Sequence, residues 1–402
     1  MMLATFVARK ASRAGLFLPK EVPMLRPPRS WIVPLTLAVA LLALGSLMAG
    51  CSKKSNLVTG PTSGLEVTTA GGTFVLRPAD PAVLAAVRVQ DLHTPALLRL
   101  AGVVGTAITA DPTGRPAIMV MTENALPAGR LPAALDGFKV IEEVTGKIVA
   151  MKGGGAVSHT AKQTPPIQLG TSGGSVVDFA NGYCCSGTLG ALVQKGGAQY
   201  ILSNSHVLAG DVVSGGNGKV SAIGDDVIQP GFVDNNCSAA GTNLVGDLSS
   251  LSTLYPPAST PNVDCAIAQV RTGTVRTDGA ILEIGTISAS TVAAFVGQKV
   301  KKSGRTTGLT RSAVSGLNAT VTVGYSTECA GTSFSKTFTG QIVITNKLKK
   351  FLNSGDSGSL MVEDVTTNPR AIGLLFAGST TTAIANPIGN VLSHLGVTMV
   401  GN

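Results

Sequence analysis

From residue 171 to residue 402 the sequence is a succession of short apolar runs, each closed by a cluster of Gly, Asn, Asp or Ser. The runs are Leu189–Val193, Gln199–Leu202, Asp226–Pro230, Ala266–Val270, Ala319–Val323, Gln341–Thr345, Ser359–Val362 and Ala371–Phe376. Punctuation this frequent leaves no room for long helices, and its regular spacing predicts an all-β sandwich or barrel. Only the end reads as a helix: Pro387 at a first helical position, then Ile388, Val391, Leu392 and Leu395 at helical spacing, stopped by Gly396. With 44% hydrophobic and 13% charged residues, wholesale disorder is excluded, and 49 glycines suit a fold rich in tight turns.

Upstream the pattern changes. Residues 73–155 read as a small α/β domain: Pro81–Leu100 is rich in Ala, Leu and Val at helical spacing. Strand-like runs follow at Val103–Thr109, Ala117–Thr122 and Val140–Ala150. Residues 156–170 are a linker, in a stretch from Gly153 to Pro166 of linker composition, and residues 51–72 form a polar tether. Residues 1–50 read as a leader, in which Trp31–Ala49 carries no charge and follows Arg26 and Arg29. That run ends in Leu47-Met-Ala-Gly-Cys51, which resembles the lipobox of bacterial lipoproteins and implies lipidation of Cys51. Two acyl chains on one thiol supply what stable anchoring needs. A plain signal anchor is the alternative, Met24 is a candidate start, and either way the body is expected outside the cytoplasm.

The net charge of +9 does not point to nucleic acid, because residues 1–54 hold eight basic side chains against Glu21. The rest of the chain carries only +2, so the excess belongs to the leader. Beyond Cys51 there are five cysteines, Cys184, Cys185, Cys237, Cys265 and Cys329. Their spacing is not that of a zinc site, and neither a metal nor a cofactor is expected. Outside the cytoplasm they predict at most two disulfides and one remaining thiol, with the pairing open.

The chemistry-bearing constellation lies in the longer region. Gly355-Asp-Ser357-Gly358 presents a serine in a glycine turn, and a serine hydroxyl needs a base and oxyanion donors to act as a nucleophile. Of the four histidines, His93, His159 and His394 read as solvated or structural. His206 sits at the end of an apolar run, in Ser203-Asn-Ser-His-Val-Leu-Ala209. Asp264 opens another run, in Val263-Asp-Cys-Ala-Ile-Ala268, and supplies the carboxylate that an imidazolium needs. Asp211, Asp225, Asp226, Asp234 and Asp247 lie in Gly/Asn-rich contexts and read as turn residues. The chain order is therefore His206, Asp264, Ser357.

These motifs resemble those of trypsin-like, chymotrypsin-fold serine endopeptidases. Gly187-Thr-Leu-Gly190, Lys302-Ser-Gly-Arg-Thr-Thr-Gly308, Gly373-Leu-Leu-Phe-Ala-Gly378 and Ala385-Asn-Pro-Ile388 extend the likeness to bacterial relatives of the plant narrow-leaf trypsin-like proteins. The resemblance implies a mainly β fold: two six-stranded antiparallel β-barrels with a C-terminal helix, preceded by the small α/β domain. It implies a catalytic triad of His206, Asp264 and Ser357, with the amides of Gly355 and Ser357 as an oxyanion hole. Phe376, Ala377 and Gly378 would be the edge that pairs with a polypeptide substrate. The implied function is an extracytoplasmic, membrane-anchored endopeptidase.

Three departures accompany the resemblance. Phe376 stands where a serine usually helps solvate the catalytic aspartate. Ser205 and Val207 flank His206 where animal enzymes have cysteines. Phe351 falls near the floor of the specificity pocket, where no acidic residue selects a basic side chain. Gly304–Gly308 lacks the Lys-Ser/Thr of a phosphate loop and reads as a hairpin, and Cys265 reads as packed core or a disulfide partner. The alternative function is a catalytically silent trypsin-like domain that binds peptides at the cell surface. The upstream domain is either an intramolecular inhibitor or chaperone, removed through its linker, or a retained regulatory module.

Overall fold

The computed structural model describes residues 75–150, 158–180, 182–210, 219–259, 262–347 and 350–402, together with the short pairs 9–10, 68–69 and 72–73. The leader, Cys51, most of the tether and the Gly153 end of the linker lie outside the described residues. Among those described, no helix is long and apolar enough to cross a membrane.

The chain begins with helix α1 (Pro81–Leu97) and strands β1 (Val103–Ala110), β2 (Pro116–Thr122), β3 (Phe138–Val144) and β4 (Val149–Ala150). Pro81 occupies the first turn of α1, where its missing N–H costs nothing. The buried residues Val83, Ala86, Gln90, Thr94 and Leu97 recur at helical spacing along one face. The sequence pattern reads Val140–Ala150 as one strand, but the structure breaks it. Gly146 turns the chain with φ of +74° between β3 and β4, a conformation that glycine adopts without strain.

Two barrels follow. The first uses β5 (Thr171–Ser175), β6 (Gly187–Leu189), β7 (Ala191–Lys195), β8 (Ala198–Ser203), β9 (Asp226–Gln229), β10 (Asn243–Leu251) and β11 (Ala266–Val270), with the short helix α2 (Ser205–Leu208) after β8. Its antiparallel order is β6-β5-β9-β10-β11-β8-β7. Because β6 and β7 are one strand bent at Gly190, this order closes as six strands. Glycine is required at the bend: a Cβ there would overlap the carbonyl oxygen of Gly358.

The second barrel uses β12 (Lys299–Gly304), β13 (Gly308–Tyr325), helix α3 (Thr327–Ala330), β14 (Phe334–Thr345), β15 (Leu360–Glu363), β16 (Ala371–Gly378) and β17 (Thr382–Pro387). The order β12-β15-β16-β17-β14-β13 closes through the β12–β13 hairpin, whose tip pairs Gly304 with Gly308. The chain ends in helix α4 (Ile388–Leu395), stopped by Gly396 at φ +63°, and strand β18 (Thr398–Met399), which pairs with β7. Ile388, Val391 and Leu395 of α4 are buried in the first barrel's core, each contributing roughly 2 kcal/mol of burial. This is a mainly β, chymotrypsin-like fold of two antiparallel barrels.

The upstream elements extend the second barrel. Strand β1 pairs antiparallel with the long β13, β2 pairs with β1, and β3 runs parallel to β2. Helix α1 lies over this extension: Gln90 Nε2 donates to Thr106 Oγ1 at 3.0 Å on β1 and to the Asn318 carbonyl at 2.9 Å on β13.

Two disulfides form, Cys184–Cys237 within the first-barrel region and Cys185–Cys329 from that region to α3 after β13. Cys265 is the remaining thiol and is buried.

Candidate active site

Strand β8 ends in the Asn204 turn that starts α2, and this delivers His206 to the barrel rim beside the start of β11, where Asp264 stands. His206 Nδ1 and Asp264 Oδ2 are 2.5 Å apart, and the His206 backbone N–H reaches Oδ1 at 3.3 Å. The backbone of Asp264 is fixed as well. Asn204 and Asn386 side-chain amides donate to its carbonyl, and its N–H donates to Asn386 Oδ1 at 3.1 Å. An imidazole held this way presents Nδ1–H to the carboxylate and leaves Nε2 as the acceptor. Nε2 is buried and has no hydrogen-bond partner among the described residues.

Tyr325, the last residue of β13, donates its hydroxyl to Asp264 Oδ2 at 3.0 Å and packs edge-on against the His206 ring. Burial, and then the Asp264 charge, hold this phenol far above its usual pKa, so it remains a donor. The neighbouring Cys265 thiol is likewise pushed up by burial and by Asp264, which makes it inert.

Ser357 sits in the loop between β14 and β15, packed on the first barrel. Its carbonyl accepts from the Thr188 N–H at 2.8 Å. A Cβ at Gly187 would lie 2.9 Å from that carbonyl oxygen and 2.5 Å from the Val207 side chain, so the Ser357 loop and the His206 helix share one glycine. Ser357 Oγ donates to the Phe376 carbonyl at 3.0 Å rather than to His206 Nε2, and both Ser357 and His206 are buried. Gly355 has φ of +99°, and neither its amide nor that of Ser357 donates a hydrogen bond among the described residues.

The loop is anchored through Asp356, which is fully buried. It receives Lys302 Nζ at 3.1 Å, Thr307 Oγ1 at 2.7 Å and the backbone amides of Asn353, Thr306 and Thr307. Burial pulls the Lys302 ammonium below its usual pKa, and Asp356 opposes that pull. The Lys302–Gly308 motif thus forms a hairpin that braces the residue next to the nucleophile. Its Arg305 is spent in a bidentate pair with Asp234.

The acidic residues read as turn formers divide. Asp225 does cap a turn, at the Ala222 amide, but Asp234 pairs with Arg305, while Asp226 and Asp247 together hold Arg271. These three are ion-pair residues, because Arg271, which follows β11, and the hairpin Arg305 reach them. Asp211 lies outside the described residues. His159 is structural: it is buried, with Nδ1 at 2.9 Å from the Gly170 carbonyl and Nε2 at 2.7 Å from Glu283. Phe351 is buried in the second barrel's core, in one apolar cluster with Val300, Ile344 and Leu375. Sequence reasoning missed Tyr325 entirely, since a lone tyrosine at a strand end carries no signal. Lys302 and Asn386 lay inside quoted motifs without an assigned role.

A family model described as the Nal1 C-terminal domain matches residues 260–386, a stretch that includes Asp264 and Ser357. No curated protein matches the chain. Solved structures with detectable likeness include a glutamic acid-specific serine protease that uses a histidine triad in substrate binding. It is 21% identical, covers 58% of this chain and 100% of its own, and has a TM-score of 0.38. Protease A of Thermobifida fusca is 20% identical over 54% of this chain and 92% of its own, with a TM-score of 0.36. Cellulomonas bogoriensis chymotrypsin is 21% identical over 54% and 91%, with a TM-score of 0.33. The two-barrel fold stands on its own strand order, and it is the fold of trypsin-like serine proteases.

Proposed function

We propose that the chain is a serine endopeptidase acting outside the cytoplasm and tethered to the membrane through lipidated Cys51. The observation that carries this reading is the buried pair of His206 Nδ1 and Asp264 Oδ2 at 2.5 Å, with Nε2 unpartnered. Ser357 would turn its hydroxyl from Phe376 to Nε2, and Oγ would attack the scissile carbonyl carbon as Nε2 takes the proton. The amides of Gly355 and Ser357 would hold the oxyanion; one such donor is worth about 3 kcal/mol of barrier. Nε2 would return the proton to the leaving amine. Water would then cleave the acyl ester by the same route reversed. The substrate backbone would pair antiparallel with Phe376–Gly378.

One observation favours the silent binding module instead: Ser357 Oγ is engaged with the Phe376 carbonyl in a fully buried setting. Labelling with a fluorescent fluorophosphonate separates the two. Labelling that disappears in Ser357→Ala and His206→Ala supports the endopeptidase. No labelling of folded protein, with β4 intact or disrupted, would favour the binding module. Growth with radiolabelled palmitate tests the anchor, since a Cys51→Ser chain should take up no label.

A further inference from the structure

The edge of β16 that faces the nucleophile loop is fully occupied. Running along it, Leu374 pairs with Leu360 of β15, and Leu375 exchanges backbone hydrogen bonds with Gly358 and Ser359. The Phe376 carbonyl receives Ser357 Oγ. Ala377 and Gly378 then pair antiparallel with Ala150 and Val149 of β4. The opposite edge of β16 is taken by β17. A second peptide therefore has no free backbone to pair with at the residues assigned to substrate.

Strand β4 is held firmly. Val149 pairs with Gly324 of β13 on its other side, and the Gly324 N–H donates to the Ile148 carbonyl at 3.2 Å. Ile148 and Ala150 are buried in one apolar cluster with Tyr325, Phe376 and Ala377. The direction of β4 matters most. It runs from Gly378 towards Ser357, the direction that the acyl side of a peptide must take to bring its carbonyl to the nucleophile.

We propose that β4 is a built-in substrate mimic. The upstream unit lays Val149–Ala150 in the extended-peptide slot, so the full chain rests in a self-blocked state until β4 is displaced. The occupant also indicates what the slot accepts: an extended segment with small or β-branched apolar side chains. This rests on the endopeptidase reading for the identity of the slot, but strand pairing can be measured apart from catalysis.

The test uses the full chain in three forms: native, Val149→Pro/Ala150→Pro, which removes both N–H donors of β4, and Val149→Gly/Ala150→Gly, which weakens the strand but keeps them. Each is made with Ser357 and with Ser357→Ala. The first readout is the rate of fluorophosphonate labelling of the Ser357 forms. The second is capture, by the Ser357→Ala forms, of a fluorescein-tagged peptide with the sequence of residues 144–150. The expected result is labelling at least about tenfold faster in the proline form, intermediate in the glycine form, with peptide captured by both variants and not by the native chain. Thermal melts check the fold, and if the proline form fails to fold the glycine form decides. Equal labelling and equal capture in native and folded variant forms would overturn the proposal. Capture by the variants without labelling of any form would uphold the blocked slot and overturn the endopeptidase reading. Rapid labelling of the native chain would do the reverse.

Discussion

Tyr325 donates its hydroxyl to Oδ2 of Asp264 at 3.0 Å, on the same oxygen that faces His206 Nδ1. A carboxylate with no exposure to water needs hydrogen-bond donors around it, and the phenol supplies one. Tyr325→Phe in a chain with β4 displaced should slow fluorophosphonate labelling about tenfold, since one hydrogen bond to a charged group contributes roughly 1.5 kcal/mol. Stopped labelling time courses against thermal melts will separate this from loss of fold: Tyr325→Phe should lower the melting temperature by only a few degrees and stay folded at the labelling temperature, whereas Tyr325→Ala should lower it further.

Lys302 and Asp356 form an ion pair with no exposure of either side chain. Lys302→Met should cost about 3–5 kcal/mol by leaving a buried carboxylate unpaired. Lys302→Met/Asp356→Asn should recover part of that loss, because no buried charge remains. Urea titrations of the two variants against the native chain measure both changes.

The Cys185–Cys329 bridge closes a sequence separation of 144 residues. Loop-closure entropy gives such a link about 5 kcal/mol, a larger gain than the about 4 kcal/mol for the Cys184–Cys237 bridge with its separation of 53. Cys185→Ser/Cys329→Ser should therefore lower the melting temperature more than Cys184→Ser/Cys237→Ser, by differential scanning calorimetry.

Asp111 organises the β1–β2 turn by accepting from Thr113 Oγ1 at 2.6 Å, the Thr113 amide at 2.8 Å and the Arg115 amide at 3.0 Å. The Thr113 hydroxyl, above all, holds its pKa below the usual 3.8. A carboxylate depressed on folding contributes stability above its unfolded value and loses it as pH falls through the folded one. Amide protection factors in this hairpin, taken relative to the intrinsic exchange rate at each pH, should thus fall below pH 3.8. In Asp111→Asn the protection factors should lose that pH dependence.

Gly190 lies against the Gly358 carbonyl, with no space for a Cβ. Gly190→Ala should push the nucleophile loop off the first barrel and abolish labelling even with β4 displaced. Gly389→Ala, in open surroundings on α4, should leave labelling intact and serves as the matched control.

Much of the architecture was legible because it is written in local chemistry. The run Ala266–Val270 is a strand as read, the terminal helix stops at Gly396, and five cysteines left one thiol unpaired. The strand Lys299–Gly304 carries no apolar run because Val300 is its one apolar side chain among three lysines, two of which the fold buries: Lys302 is fully buried against a carboxylate 54 positions further along the chain. Likewise the split of Val140–Ala150 depended on one left-handed glycine within a continuous β-like pattern.

The sequence by itself determined the β-rich class, the motifs around His206, Asp264 and Ser357, and the concentration of the net positive charge in residues 1–54. Period, turn residues and composition are properties of neighbours along the chain, so they can be read one window at a time. Tertiary structure alone decided that Tyr325 reaches Asp264, that Lys302 braces the Ser357 loop through Asp356, and that Val149–Ala150 lies on Ala377–Gly378. Each of these joins residues far apart in sequence. Such pairings follow from barrel closure and from the need to satisfy every buried charge and backbone group, and no local pattern encodes them.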